Sequence, residues 1–376
     1  MLRFLAASFA LVLVLAACVS DDDGGSADDP LVNPPPGETV GAASTPRGQT
    51  PAPTPNLPPP LALTDVFPPR DLSGYGLDPS RVRTLIATGD VIPARYTDYI
   101  IRQEGDNFLY TVDKTSQVVA DADLTVINLE APLVSYCPIT TEGFTFCGRP
   151  GFTAALLAAG VDVVTMENNH IGNYGQEGID ETHDHLNAAG LKWADRVTPA
   201  IVEVRGLTFG FIAFNGVIET IDREAMVAQI EALRPQVDVL AVAYHWGAEY
   251  VSLPTVAPGV AEDDPVEIGH LAIDSGADLV IGNHPHWVQA VEIYKGKYIT
   301  YAHGNYIFDQ MWSYETRVGV IGKYTFYDDT LIGVEYTPTL IENYAQPRLM
   351  EGDERQAVLD GMRDASTELA GLLAGG

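Results

Sequence analysis

The chain has 376 residues, 46% of them hydrophobic and 19% charged, with 35 Gly, 26 Pro and 3 Cys, enough to bury a core in one large domain or two smaller ones. Its 51 Asp and Glu against 21 Lys and Arg leave a formal charge of -30, which excludes broad, non-specific contact with nucleic acid. The same field opposes an anionic polymer or membrane surface unless a bound cation or an arginine cluster reverses it locally.

Residues 1–17 place Arg3 before an apolar run from Phe4 to Ala17. The run is short for a membrane span and closes on small residues, so the sequence predicts a secretory signal peptide. It ends Leu15-Ala16-Ala17-Cys18, which resembles a bacterial lipobox. That resemblance implies lipidation of Cys18 and a lipoprotein anchored outside the cytoplasmic membrane; the alternative is a plain signal peptide with an incidental Cys. Residues 18–80 are rich in Asp and Pro, and half of the 26 prolines lie between Pro30 and Pro69. Such a segment buries too little apolar surface to fold and favours extended polyproline conformations, so a disordered stalk is expected. The folded domain is expected over 81–350, with a helix on or beside it over 351–376.

Cys137 and Cys147 remain once Cys18 is assigned to lipid, ten residues apart in a loop bearing Gly and Pro. In an oxidising compartment a disulfide is the default; closing so short a loop would constrain the unfolded chain by about 3 kcal/mol.

Apolar runs and amphipathic stretches alternate from residue 84 on. The patterns predict strand Thr84 to Gly89, helix Asn107 to Ala120, strand Leu124 to Leu129, helix Phe152 to Ala159 and strand Val161 to Met166. Helix Gln176 to Ala189 follows, stopped by Gly190, then a hairpin about Arg205-Gly206 and helix Asp222 to Arg234. Strand Val237 to Ala243, helix Pro265 to Ser275 and strand Asp278 to Ile281 come next. The strands lack clean alternation, the mark of burial on both faces. After Pro285, Lys295-Gly296 and Asp328-Asp329 read as hairpin turns, and a helix from Gly352 ends the chain. This is an α/β domain with mixed sheets and helices outside.

Polar residues collect where these strands end. Asp90 follows the first strand; Asn128 and Glu130 close the second; Asn168-Asn169-His170 closes the third; His245 follows Tyr244; His284 and His286 follow Gly282. In open α/β sheets ligands bind beyond the carboxyl ends of strands, so these residues are candidates for one shared site. Carboxylates, an amide oxygen and neutral imidazoles together suit a borderline divalent ion such as zinc, manganese or iron. Singly, Gly89-Asp90 and Asn168-Asn169 are also common turn chemistry. His183, His185 and His270 fall in predicted helices and read as solvated faces. Arg95, Arg149 and Arg317 lie near the motif segments and are candidates for binding carboxylate or phosphate, or for pairing with the many acids. Trp246, Trp287 and Trp312 either line a groove or pack in the core.

Gly89-Asp90-Val91, Asn128-Leu129-Glu130, Asn168-Asn169-His170, His245-Trp246-Gly247 with Glu249-Tyr250, Gly282-Asn283-His284-Pro285-His286 and Gly304-Asn305-Tyr306 through Asp309 resemble, in that order, the CapA-type poly-γ-glutamate capsule synthesis proteins. That family is similar to the calcineurin-like metallophosphoesterases, and the resemblance implies a four-layer αββα sandwich of two mixed sheets. It further implies that Asp90, Glu130, Asn169, His245, His284 and His286 are metal ligands for one or two ions, Glu130 in the bridging position. His170 would be the acid that protonates a leaving group, working with Asp90 and Glu130, while Arg95, Asn305 and Arg317 would touch substrate. Phosphoesterases carry Asp-x-His on the first strand, whereas position 92 is Ile here. One ion, two ions with water in the gap, or a site without hydrolytic power all remain open. His303 is either a further ligand or packing.

The function implied is a metal-dependent hydrolase or transferase acting on an anionic capsule polymer or its precursor, beside membrane polymer-synthase components. The alternatives are an accessory protein that holds or exports the polymer, and metal-independent proton abstraction in the same pocket.

Overall fold

A computed structural model describes residues 57–375. The signal peptide, Cys18 and the stalk up to residue 56 lie outside the described residues. The order in the first half is β1 (Val82–Val91), α1 (Tyr96–Gln103), α2 (Ser116–Val119), β2 (Leu124–Leu129), α3 (Phe152–Ala158), β3 (Val163–Thr165), α4 (Gly175–Ala189) and β4 (Lys192–Ala194). A second run follows with β5 (Ala200–Val204), β6 (Leu207–Asn215), α5 (Arg223–Leu233), β7 (Val239–His245), α6 (Pro265–Asp274), β8 (Leu279–Asn283), β9 (Val291–Tyr294) and β10 (Lys297–Thr300). The chain then returns with β11 (Asn305–Ile307), β12 (Val318–Tyr327), β13 (Thr330–Glu342) and β14 (Gln346–Leu349), and closes with α7 (Gly352–Gly375).

These strands form two mixed sheets. One has the order β14-β13-β12-β1-β2-β3-β4, with β11 also paired to β1; the other runs β5-β6-β7-β8-β10-β9. Strands β1 to β4 are parallel to one another, as are β6 to β8, while β12 to β14 return antiparallel.

Side-chain alternation explains why the sheets stack. Leu85, Ala87, Leu124 and Val126 from the first sheet meet Phe209, Phe211, Val239, Ala241, Leu279 and Ile281 from the second in one core. Their neighbours point outward: Ile86 and Ile127 meet Phe152 and Leu156 of α3, while Ile212, Leu240 and Val280 meet Met226 and Ile230 of α5 and Ile268 of α6. Period-two strands buried on both faces therefore give four layers, helix, sheet, sheet, helix. Asp222 and Asp264 cap α5 and α6 by accepting from the backbone N–H of Ala225 and Val266. Helix α7 packs against β9 and β13 and so joins the two sheets, burying Leu359, Met362 and Leu369.

Three expectations are corrected. The helix over Asn107 to Ala120 is a 3-10 turn, Phe108–Thr111, and the single-turn α2, while the eight-residue α1 was not anticipated. The first strand runs beyond Gly89, so Asp90 lies inside it rather than after it. The stalk does not reach residue 80. Leu61 and Val66 are buried in the core between the sheets, Phe67 stacks on Tyr336 with ring centroids 6.2 Å apart, and Arg70 donates to the carbonyl of Pro59 and pairs with Asp65. A few apolar side chains among the prolines suffice to dock the segment.

This docking predicts that limited trypsin digestion of the folded protein spares the Arg70–Asp71 bond, because the Arg70 side chain is only 6% exposed. Early release of a domain beginning at Asp71 would contradict it.

Candidate metal centre

The parallel strands of both sheets end at one place, and their registers align the candidate residues. Asp90 stands opposite Asn128 on one side and Asn305 on the other, and His245 opposite Asn283. Two glycines allow the approach. A Cβ on Gly89 would lie 2.1 Å from the Gly304 carbonyl oxygen, and one on Gly282 would lie 1.9 Å from that of Tyr301. Beyond β8 the chain turns so sharply that His284 (φ 96°) and His286 (φ 56°) both take left-handed backbone, an unfavourable conformation for side-chain-bearing residues that concentrates at functional sites.

Asp90, Glu130, Asn169, His245, His284 and His286 are brought together. The sets Glu130, His284, His286 and Asp90, Glu130, His245 each have their ligand atoms within 4.8 Å of one another, all buried. Glu130 belongs to both. His245 Nε2 lies 2.9 Å from Asn169 Oδ1 and 3.3 Å from Glu130 Oε1. Asp90 is already well supported: Asn128 Nδ2 donates to its Oδ1 (2.9 Å), the His284 backbone N–H donates to its Oδ2 (3.2 Å), and His286 Nδ1 lies 3.2 Å from Oδ2. Among the described residues, neither oxygen of Glu130 and neither ring nitrogen of His284 has a hydrogen-bond partner, although all four atoms are buried. Buried polar groups are ordinarily satisfied, so this donor set fits a cation and little else.

Burial and mutual charge shift every titratable group of the cluster. Burial pushes the Glu130 carboxyl well above its ordinary range, reinforced by the Asp90 charge. Burial also pushes His284 well below the ordinary imidazole value and His245 down to about 3. For His286 burial acts downward, but the negative charges of Glu130, Asp90 and Glu249 win and hold it at about 9. Asp90 is likewise raised by burial, yet its bond to His286 and the neighbouring imidazoles leave it below the usual carboxylate range.

His170 sits at the rim. Its Nδ1 lies 3.1 Å from Asn173 Oδ1, which also accepts from the Phe146 backbone N–H at 2.6 Å, and the Phe146 ring lies 4.1 Å from the imidazole. Phe146 belongs to the loop closed by the Cys137–Cys147 disulfide, so that loop packs directly on His170. Burial, with help from the positive charge of His286, pushes His170 down to about 4.

The candidate substrate contacts fare differently. The Arg95 guanidinium is held by the Asp309 carboxylate and the Gly143 carbonyl, and Arg149 by Asp98 and Asp106. Arg317 donates to the Ile341 carbonyl on β13, away from the cluster. Asn305 is completely buried, its Nδ2 donating to the Thr316 carbonyl (2.8 Å) and Gln310 Oε1 (3.1 Å) while its Oδ1 accepts from His286 Nδ1 (2.9 Å). It therefore orients His286 and offers nothing to a substrate. His303 contacts Tyr324 Oη at 2.9 Å between the sheets and is packing rather than a ligand. Trp246 is core, stacked on Tyr244 at 4.5 Å, whereas Trp312 is exposed beside Tyr250. His270 pairs with Glu292, and His183 stacks on Trp193.

Asn128 and Asn168, named from sequence at the strand ends but given no role there, supply the support. Asn168 Nδ2 donates to Asn128 Oδ1 (3.1 Å) and the Leu129 carbonyl (2.9 Å), and its Oδ1 accepts from the backbone N–H of Ile171 (2.8 Å). Asn168, Asn128 and Asp90 thus form a ladder across three strand ends. Their sequence signal was their place at the ends of apolar strands, inside the motifs themselves.

In metal-free protein the His170 imidazole is expected to titrate near pH 4 by NMR, neutral above that, with the unfolded chain binding the extra proton between about 4 and 6.5. A midpoint near 6.5 in the folded protein would contradict the packing described.

Residues 84–310 match the family model described as bacterial capsule synthesis protein PGA_cap. The chain is 23% identical over 289 residues to the capsule biosynthesis protein CapA of Bacillus anthracis, covering 69% of this chain and 67% of that one. It is 24% identical over 274 residues to the PGA biosynthesis protein CapA of Bacillus subtilis, covering 66% and 69%. A solved structure of a hypothetical protein from Thermus thermophilus matches with a TM-score of 0.44 at 15% identity, covering 68% of this chain and 98% of that one. Every candidate ligand at the strand ends falls within the segment that the family model spans, which is more than half of the sequence, and the chain accordingly belongs to the bacterial capsule synthesis protein family PGA_cap.

Proposed function

We propose that the protein is a metal-dependent hydrolase or transferase acting on an anionic capsule polymer of the poly-γ-glutamate class, or on its precursor. The observation that carries this reading is the buried, unpartnered set of Glu130 oxygens and His284 nitrogens, bordered by Asp90, His245 and His286. Carboxylates and imidazoles in that mixture suit manganese, zinc or iron. Glu130, shared by both ligand sets, is the residue able to serve one ion or to bridge two. A divalent ion held there supplies Lewis acidity toward a phosphoryl or carbonyl oxygen.

The chain's own residues do the rest. Asn128 and Asn305 hold Asp90 and His286 in fixed orientations. His170, held through Nδ1 by Asn173, is the imidazole assigned to the leaving group. It is neutral in the resting protein, so it becomes a proton donor only when an anionic substrate raises its proton affinity. With Arg95 and Arg149 already neutralised, attraction of a polyanion to a protein of charge -30 falls to the ion. The signal sequence and lipobox support a location outside the cytoplasmic membrane, anchored through Cys18, and family membership supports membrane polymer-synthase components as partners.

Ile92 favours a second reading, in which the same pocket holds the polymer without cleaving it. Assays of phosphodiesters and γ-glutamyl peptides with added manganese, zinc or iron separate the two. The first reading predicts metal-dependent turnover that falls about 10²–10⁴-fold in His170→Ala and is lost in Glu130→Gln. Binding of poly-γ-glutamate without turnover supports the holding role, and absence of both would sink either.

A further inference from the structure

Two large apolar side chains near the candidate metal centre face solvent, Phe144 at 77% exposure and Trp312 at 63%. Each ends a row of ring contacts that passes the centre. The Phe144 ring lies 6.4 Å from Phe146, and Phe146 lies 4.1 Å from His170 and 5.7 Å from Phe308. Phe308 lies 5.4 Å from His286, Tyr250 lies 6.3 Å from the same imidazole, and Trp312 meets Tyr250 edge-on at 5.8 Å. Single exposed apolar residues are ordinary on a protein surface. These two are instead the open ends of one aromatic row, which reaches the centre through His170 from one side and through His286 from the other.

Fixed loops present both rings. Arg95 donates to the Gly143 carbonyl at 3.1 Å and lays its guanidinium over Phe146 and Phe308, and the Cys137–Cys147 disulfide closes that loop. Beside Trp312, Thr316 Oγ1 donates to the Gln310 carbonyl at 2.9 Å, while the Thr316 carbonyl accepts from Asn305 Nδ2 at 2.8 Å. Charge is nearly absent from both segments. Residues 132–148 contain Glu142 alone, and residues 303–314 contain Asp309 alone, buried against Arg95; Glu249 adds one partly exposed carboxylate. On a chain of charge -30, such a rim is where a polyanion meets least repulsion. Loss of charge together with gain of aromatics is also the composition of the core of a binding surface.

A γ-linked glutamate chain has planar amides and paired methylenes between its charges, and these can lie flat on aromatic faces. We propose that Phe144 and Trp312 are substrate-contact residues that hold this uncharged backbone on either side of the candidate centre. The occupant is then a stretch of polymer crossing the centre rather than a monomeric precursor. The inference rests on the polymer reading above and deepens it. Binding of poly-γ-glutamate and of a γ-glutamyl dipeptide to manganese-loaded protein is measured by calorimetry, with tryptophan emission followed in parallel. The parent is expected to bind polymer more tightly than dipeptide. Phe144→Ala and Trp312→Ala are each expected to lose at least about fivefold in polymer affinity, and the emission change on adding polymer to vanish in Trp312→Phe. Leu372→Ala, comparably exposed near the end of α7, is the control and binds like the parent. Parent-like polymer affinity in either aromatic-to-alanine variant would overturn that contact and leave the polymer reading standing. Equal affinity of the parent for dipeptide and polymer would overturn the crossing. No binding of polymer by the parent would overturn the inference and the polymer reading together.

Discussion

Two carboxylates, Asp90 and Glu130, sit at zero exposure at the ends of neighbouring parallel strands, and the site is organised around that expense. An unpaired buried charge costs several kcal/mol even after relaxation. Asp90 meets the cost with three donors, Asn128, the His284 backbone and His286. Glu130 meets it with none; an imidazole nitrogen of His245 lies 3.3 Å away. Burial raises the proton affinity of Glu130, and a cation shared with His284 would meet the same cost.

That constraint reaches into the scaffold. The candidate ligands come from both sheets, so the core between them, where Leu85 and Val126 face Phe211 and Ala241, sets how far Asp90 stands from His245. Glycine at 89 and 282 permits backbone contacts that any side chain would block. His284 and His286 hold left-handed conformations worth about 1–3 kcal/mol of strain each, maintained by the packing of Gly282 beneath Tyr301 and by the bond from Asn305. The disulfide loop contributes by contact, carrying Phe146 onto His170.

Much of this was legible in the sequence, for identifiable reasons. Parallel strands buried on both faces announce themselves as apolar runs, and a polar residue ending such a run has few other reasons to be there; hence Asp90, Glu130, His245 and His284 could be named before their geometry was known. The arginines were not legible, because an acidic chain offers Arg95 and Arg149 partners such as Asp309 and Asp98 far away in sequence. Asn305 was misjudged for the same reason, since its role depends on which side chain it faces. Residues 57–80 failed the composition argument because Leu61 and Val66, few as they are, meet a core already built. The helix expected over Asn107 to Ala120 broke at Asp113-Lys114, where tertiary contacts override a weak local preference.

A strongly acidic protein and an acidic polymer repel unless something positive stands between them, and a divalent ion at Glu130 and His284 would meet the demands of the buried carboxylate and of the polymer substrate we propose together. Crystals grown with manganese, measured near its absorption edge, bear on this most directly. An anomalous peak within about 2–2.3 Å of a Glu130 oxygen and a His284 nitrogen is the result predicted. Density without any peak there, with Glu130 and His284 bonded to ordered water, would contradict it.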